Sequence, residues 1–158
     1  MINNALYTSD KQNWETPQSL FELLNDEFNF EVDLCADHNN HKCDKYFTQD
    51  DDALSQDWGE FSSCFCNPPY ASNMQNKFVE KAYDTFLEHG NTIVLLIPAR
   101  TDTKRWHKHI FGTAEVRFLE GRLKFECDGE PHSNSAPFPS AVVVFGGNEF
   151  YAQGVQDA

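Results

Sequence analysis

A continuous run over residues 92–97 constrains the fold of this chain more than any other feature of its sequence. After Thr92, the stretch Ile93-Val94-Leu95-Leu96-Ile97 contains no polar side chain. Side chains alternate between the two faces of a strand, so a strand made from this run needs apolar cover on both faces. The run therefore predicts a central parallel strand of an α/β sheet, ended by Pro98.

Helical and strand-like patterns alternate on both sides of this strand. Apolar residues spaced by three or four predict helices over residues 17–28, with Pro17 in the first turn, and over residues 74–89, ended by Gly90. Strands are predicted over residues 30–36, 61–66, 115–119, 123–126 and 141–145, and the last two are expected to pair antiparallel. We expect a short helix over residues 102–111, a brief strand over 45–47 and a turn or helix start over 50–52. This order predicts an open, mostly parallel sheet with a mixed edge.

Length and composition predict the class of protein. The 158 residues carry a net charge of -13 and are expected to form a single domain over 1–158. No apolar stretch approaches the roughly 18 residues of a membrane span, and the N-terminus lacks the charged and apolar regions of an export signal. We therefore expect a cytoplasmic protein without membrane association, and reduced thiols for its five cysteines.

The charge is unevenly distributed along the chain. Residues 1–60 contain fourteen acids and three bases, whereas residues 100–124 contain seven bases and three acids. An acidic protein of this kind can still present one basic edge to a polyanion. From charge alone, a solvated helix face explains the basic stretch equally well.

The segment Asn67-Pro68-Pro69-Tyr70 directly follows a predicted strand and is the stretch most informative about chemistry. Both prolines fix φ and lack an N–H, so the Asn67 amide oxygen and the Pro68 carbonyl can act as two acceptors aimed at one point. An exocyclic amino group has two N–H donors to match them, and Tyr70 offers a flat face on which a base turned out of a duplex can stack. The alternative is a strand stopped by prolines and followed by a turn.

Six segments together resemble a known family. They are Trp14-Glu15-Thr16-Pro17, Asp33-Leu34-Cys35-Ala36, Asn67-Pro68-Pro69-Tyr70, Leu96-Ile97-Pro98-Ala99-Arg100-Thr101-Asp102-Thr103, Gly121-Arg122-Leu123-Lys124-Phe125 and Ala136-Pro137-Phe138-Pro139-Ser140. In this order they resemble the phage-type DNA N6-adenine methyltransferases, small members of the class I S-adenosylmethionine-dependent enzymes. The resemblance implies a minimal Rossmann-like α/β fold, a mostly parallel sheet with an antiparallel C-terminal edge. It also implies methyl transfer from S-adenosyl-L-methionine to the N6 amino group of a flipped adenine in DNA.

The resemblance assigns roles to particular residues. Catalysis falls to Asn67, Pro68, Pro69 and Tyr70. The expected contacts to the cofactor are Trp14, Thr16, Pro17, Asp33, Cys35, Ala36, Asp52 and Asp57, although no Gly-x-Gly follows Asp33 and the last two acids equally fit a solvated turn. The expected contacts to DNA are Arg100, Lys104, Arg105, His107, Arg122 and Lys124. Without a separate target-recognition domain, such a monomer or homodimer is expected to show short or relaxed sequence specificity.

Three other interpretations remain open from the sequence. Cytosine N4 in DNA, or an RNA base, presents an amino group to the same acceptors. A catalytically idle, acidic DNA mimic would also explain the charge, but it would need neither Asn67-Pro68-Pro69-Tyr70 nor a basic stretch. A structural metal is not expected, because the spacing of the cysteines and histidines does not match that of a zinc finger.

Overall fold

A computed structural model describes residues 14–147 of the chain. The main sheet contains β1 (Val32–Asp33), β2 (Ser63–Cys66), β3 (Thr92–Pro98), β4 (Glu115–Phe118) and β7 (Ser140–Phe145), in the order β1-β2-β3-β7-β4. Strands β1, β2 and β3 are parallel, and β7 runs antiparallel to both β3 and β4. The predicted α/β class, mostly parallel sheet and antiparallel C-terminal part are therefore confirmed.

The central strand is the one that the apolar run predicts. Residues 93–97 are all fully buried in β3. Val94 and Leu96 pack on one side with α1 (Gln18–Phe28), whereas Ile93, Leu95 and Ile97 pack on the other side with α2 (Ser72–His89). One helix thus covers each face of the sheet, as a strand without polar residues requires.

Two helices follow their predicted bounds closely. In α2, Phe78, Val79 and Ala82 face the sheet, and the helix ends at Gly90, whose φ of 70° allows its N–H to bond the Phe86 carbonyl at 2.8 Å. In α1, the buried residues are Phe21 and Leu24. Among the described residues, no helix is long and apolar enough to cross a membrane.

The predicted antiparallel pairing of residues 123–126 with residues 141–145 is wrong. Both edges of β7 are already occupied, by β3 on one side and by β4 on the other. Instead β5 (Glu126–Cys127) pairs with β6 (Glu130–Pro131) as a small separate hairpin, and Glu126 also bridges to Glu15. This hairpin therefore lies beside the N-terminal segment of the described chain.

The remaining helices and strands are shorter than the sequence predicts. The strand predicted over 30–36 reduces to β1, beside which Tyr46 forms a single bridge to Asp33. A 3₁₀ turn occupies Gln49–Asp51, and the helix predicted over 102–111 contains a π-helical turn over Trp106–Ile110. The segments that follow the carboxyl ends of β1 and β3 are mostly irregular, with short 3₁₀ and π-helical turns.

Candidate active site

The carboxyl ends of β1, β2 and β3 lie along one edge of the sheet, which we call the rim. Asp33 ends β1, Asn67 directly follows β2, and Pro98 ends β3. Because parallel strands carry ligands at their carboxyl ends, the rim is the place where this topology puts a functional site. Asp33 and Asn67 are each only 3% exposed there.

The side-chain amide of Asn67 is held at both of its ends. Its Nδ2 donates to the Trp14 carbonyl at 2.8 Å and to Thr16 Oγ1 at 3.1 Å. Its Oδ1 accepts the Tyr70 hydroxyl at 2.7 Å. Because both donor hydrogens are directed inward, the amide oxygen is fixed as an acceptor on the side of Tyr70. The structure thus brings Trp14 and Thr16, two predicted cofactor contacts, together with Asn67 and Tyr70, two predicted catalytic residues.

Aromatic rings surround this amide. Trp14 contacts Tyr70, Phe125 and Phe138 and stacks on His132, with ring centroids 5.5 Å apart and an angle of 10° between the planes. Tyr70 itself lies edge-on to Phe138 at 5.4 Å and stays partly exposed. The site is therefore an apolar cluster of rings around one oriented polar acceptor, a combination that suits a planar base carrying an amino group.

Sequence reasoning missed three of these rings as site residues. Phe125, His132 and Phe138 come from the region after β4, far from Asn67 along the chain. The only signal was that Phe125 and Phe138 lie inside segments that carry the family resemblance. The Arg100 guanidinium lies 5.9 Å from the centroid of Phe138, which places this predicted DNA contact beside the aromatic rings around Asn67.

Glu15 is a further residue that sequence reasoning missed. Its backbone exchanges two hydrogen bonds with Glu126, at 3.0 and 2.9 Å, and its Oε1 accepts the Gly129 N–H at 3.2 Å. Glu15 thereby ties the β5–β6 hairpin to the segment that positions Trp14 and Thr16. Burial raises the pKa of its carboxyl, and the nearby carboxylates of Asp37 and Asp128 raise it further against the hydrogen bonds from the hairpin backbone.

The end of β1 carries three predicted cofactor residues. Asp33 accepts the Cys35 N–H at 3.2 Å and the Lys42 N–H at 2.9 Å, so its carboxylate orders the loop that follows the strand. The Ala36 N–H donates to the Phe47 carbonyl at 2.9 Å. The Cys35 thiol lies 3.8 Å from the Cys66 thiol, directly before Asn67. Asp33, Cys35 and Ala36 are thus close to the strand that positions the amide.

The other predicted acids and Pro17 lie in different surroundings. Pro17 precedes α1 and accepts the Phe21 N–H at its carbonyl. Asp52 is exposed between two 3₁₀ turns, with φ of 52°. Asp57 accepts the Gly59 N–H at 2.9 Å and lines a polar groove beside the C-terminal half of α2, together with Lys81 and Asp84. The structure does not bring Asp57 together with Asn67.

The predicted DNA contacts divide into an exposed group and one buried residue. Five of these side chains are exposed: Arg100, Lys104, His107, Arg122 and Lys124. Arg105 is only 4% exposed and donates to Ser72 Oγ at 3.2 Å and to Asn76 Oδ1 at 2.9 Å. Its guanidinium joins the segment after β3 to the first turns of α2, a position that does not favour a contact with phosphate.

Two further groups of residues have structural partners. Arg117 of the basic stretch forms a two-pronged ion pair with Glu27 of α1, at 2.7 and 2.6 Å. Cys64 and Cys66 are buried in β2, and burial raises the pKa of Cys64 to about 12. Over residues 14–147, no three His, Cys, Asp or Glu side chains come together in a way that could hold a metal ion.

The sheet, the rim and the oriented amide define the class of protein to which this chain belongs. They describe an α/β protein with a fixed amide oxygen and a cluster of aromatic rings at the carboxyl ends of its parallel strands. A family model described as DNA N-6-adenine-methyltransferase (Dam) matches residues 3–152. The chain therefore belongs to the DNA N-6-adenine-methyltransferase family.

Two phage proteins illustrate the relationship. The chain is 29% identical over 123 residues to a DNA N-6-adenine-methyltransferase of Escherichia phage T1, a match that covers 77% of this chain and 50% of the relative. It is 30% identical over 144 residues to a DNA N-6-adenine-methyltransferase of Haemophilus phage HP1, covering 87% of this chain and 81% of the relative. The chain thus spans half the length of the first relative and most of the second.

Proposed function

We propose that this protein transfers a methyl group from S-adenosyl-L-methionine to the N6 amino group of adenine in DNA, with short or relaxed sequence specificity. The proposal depends on the geometry of the Asn67 amide. Its two donor hydrogens are engaged inside the protein, and its oxygen accepts the Tyr70 hydroxyl beside the aromatic rings. An acceptor fixed in this way can take a donor from the substrate in place of the Tyr70 hydroxyl. The amino group of adenine is such a donor, in agreement with the names of the relatives.

The residues at the rim fit a cationic cofactor. The pKa of Glu15 is raised chiefly by burial and further by the carboxylates of Asp37 and Asp128, which are close enough to repel its negative charge. The ammonium and sulfonium charges of S-adenosyl-L-methionine would relieve this repulsion. When bound, this cofactor supplies an electrophilic methyl group, and Trp14, Thr16, Pro17, Asp33, Cys35, Ala36 and Asp52 would hold it. We leave Asp57 out of this set because it faces the groove beside α2.

The protein's own residues then position the amino group. Adenine N6 would displace the Tyr70 hydroxyl and donate to Asn67 Oδ1 and to the Pro68 carbonyl. These two acceptors would stabilise the positive charge that develops on nitrogen during transfer. Pro68 and Pro69 keep the loop rigid, so little reorganisation is needed, and the Tyr70 ring would stack on the base. An amide oxygen suffices because the newly methylated N6 is cationic and acidic, so it loses its extra proton to solvent without a strong general base.

The basic residues would bind the DNA backbone around this site. Arg100 lies beside Phe138, and the exposed Lys104, His107, Arg122 and Lys124 extend the same basic stretch. Phosphate contacts of this kind fix position and orientation but carry no sequence information. This arrangement agrees with the short or relaxed specificity that we propose.

Nucleoside analysis tests the proposal. Unmethylated duplex DNA is incubated with S-adenosyl-L-methionine and the protein, digested to nucleosides and analysed by mass spectrometry, with RNA as a parallel substrate. We expect N6-methyladenine in DNA and a loss of product in Asn67→Ala. N4-methylcytosine, or methylation of RNA alone, would show that the substrate is different. Cofactor binding without methylation of either substrate would contradict the proposal.

A further inference from the structure

Two exposed phenylalanines contact the same buried tryptophan. Phe118 is 63% exposed and Phe111 is 41% exposed. Both contact Trp106, which is fully buried: the Phe118 ring is parallel to it within 9° at 6.2 Å, and the Phe111 ring lies at 5.4 Å. We call these two exposed residues the phenylalanine pair.

The exposure of this pair is unusual within the described chain. Over residues 14–147, the other exposed large apolar side chains are Leu23 on α1 and Leu87 on α2, each on a different element. Single exposed leucines are common on protein surfaces. Two neighbouring aromatic rings with a rigid base beneath them are better suited to contacting another flat, apolar group.

Strand register places Phe118 at the same rim as the active site. Phe118 pairs with Ala141 of β7, and Ala141 pairs with Ile97 of β3, one residue before that strand ends. Asn67 follows Cys66, which pairs with Leu95. The two residues are thus at nearly the same height on the sheet and three strand spacings, or about 14 Å, apart within its plane. Phe118 lies on the face covered by α2, whereas the rings around Asn67 lie on the face covered by α1.

The surroundings of the pair are basic. Between residues 100 and 124, the exposed charged side chains are five bases and two acids. The bases are Arg100, Lys104, Lys108, Arg122 and Lys124, and the acids are Asp102 and Glu120. His107 is also exposed and contacts the Phe111 ring edge-on at 5.2 Å. Aromatic rings inside a cationic surface are a combination that binds nucleobases and phosphates together.

We propose that Phe111 and Phe118 form a base-contacting site for DNA at the same rim of the sheet as the target adenine. The exposed face of Phe118 would stack on a neighbouring base, Phe111 would extend the apolar contact, and the surrounding bases would hold the phosphates on either side. This proposal rests on the proposed function, since it assumes DNA as the substrate. It adds an apolar contact, independent of charge, to a protein whose overall charge of -13 opposes adhesion to DNA.

The test measures DNA affinity as a function of salt. Binding of a fluorescent duplex is followed by anisotropy for the full chain, for Phe118→Ala, for the double variant Phe111→Ala/Phe118→Ala and for the control Leu87→Ala. We expect Phe118→Ala to weaken binding about tenfold and the double variant to weaken it further. The slope of log K against log salt should stay unchanged in these variants, because no phosphate contact is lost. Leu87→Ala should bind as the full chain does.

Two additional measurements make the outcome decisive. Phe118→Trp, which keeps a stacking ring, should retain at least the parent affinity, and size-exclusion chromatography with light scattering reports the oligomeric state of every variant. Parent-like DNA affinity in the double variant would overturn the inference, and so would a change of oligomeric state that accounts for the whole loss of affinity. Absence of methylated DNA with the parent protein would instead overturn the proposed function, so the two failures are distinguishable.

Discussion

The Tyr70 hydroxyl donates a hydrogen bond of 2.7 Å to Oδ1 of Asn67, so the proposed acceptor for the substrate is occupied by a neighbouring side chain. This bond keeps the buried amide oxygen satisfied in the protein alone, where an unpaired acceptor would be unfavourable. It also marks the place that the substrate amino group would take. Substrate binding would therefore exchange one hydrogen bond for another.

This exchange predicts different effects for two substitutions of Tyr70. Tyr70→Phe removes the competing hydroxyl and keeps the ring, so we expect methylation rates within about threefold of the parent. Tyr70→Ala removes the stacking surface and should lower the rate by about 10- to 100-fold. Initial rates of transfer to DNA measure both. Equal losses in the two variants would show that the hydroxyl, and not the ring, is what the reaction needs.

Thr16 is expected to act through Asn67. Thr16→Ala leaves one buried hydrogen of the amide without its partner and should lower the free energy of unfolding by about 1 to 3 kcal/mol. Thr16→Ser keeps the hydroxyl and serves as the matched control. Urea unfolding gives the difference, and kcat for methylation should fall in Thr16→Ala more than in Thr16→Ser. Identical behaviour of the two variants would contradict the role of this bond.

Arg105 and Lys104 are adjacent in sequence but are expected to respond differently. Arg105→Ala breaks the contacts to Ser72 and Asn76 and should destabilise the fold by about 1 to 3 kcal/mol. Lys104→Ala removes an exposed base and should leave stability nearly unchanged. In DNA binding, Lys104→Ala should reduce the slope of log K against log salt by about one. Arg105→Lys should change the structure only slightly and should leave this slope unchanged. A reduced slope in Arg105→Lys would show that Arg105 reaches phosphate after all.

The raised pKa of Glu15 leads us to expect that the free energy of unfolding depends on pH. Its folded-state pKa is raised above the ordinary 4.5, so the folded protein binds a proton more tightly than the unfolded chain does. The contribution of this group is fully present below the unfolded pKa and is lost as the pH rises through the raised value. We therefore expect Glu15→Gln to gain stability relative to the parent over a pH range that starts near 4.5 and extends upward. Urea unfolding across this range measures it, and a constant difference would contradict the assignment.

Local sequence signals predicted the elements that need no distant partner. The apolar run of β3, the stop of α2 at Gly90 and the rigid segment Asn67-Pro68-Pro69-Tyr70 each follow from neighbouring residues. The fate of residues 123–126 could not be predicted in this way, because it depends on β4 and β3 occupying both edges of β7. Strand pairing depends on which distant segments occupy each edge of a strand, and a local sequence pattern does not contain this information.

The same distinction applies to the candidate site. Asn67 and Tyr70 could be predicted because the proline-rich loop fixes their spacing. The contributions of Glu15 and His132 could not, since both depend on where the β5–β6 hairpin docks. Arg105 resembled its exposed neighbours in sequence, and only the position of α2 shows that it is buried.

The central claim is that the Asn67 amide accepts the amino group of adenine during transfer. Its most direct test is the single-turnover rate of N6-methyladenine formation in DNA by Asn67→Ala, with Asn73→Ala, an exposed asparagine of α2, as the control. Thermal unfolding and cofactor affinity establish that each variant is folded. We expect the rate of N6-methyladenine formation to fall by at least about 100-fold in Asn67→Ala and to stay parent-like in Asn73→Ala. A folded Asn67→Ala that forms N6-methyladenine at the parent rate would contradict it.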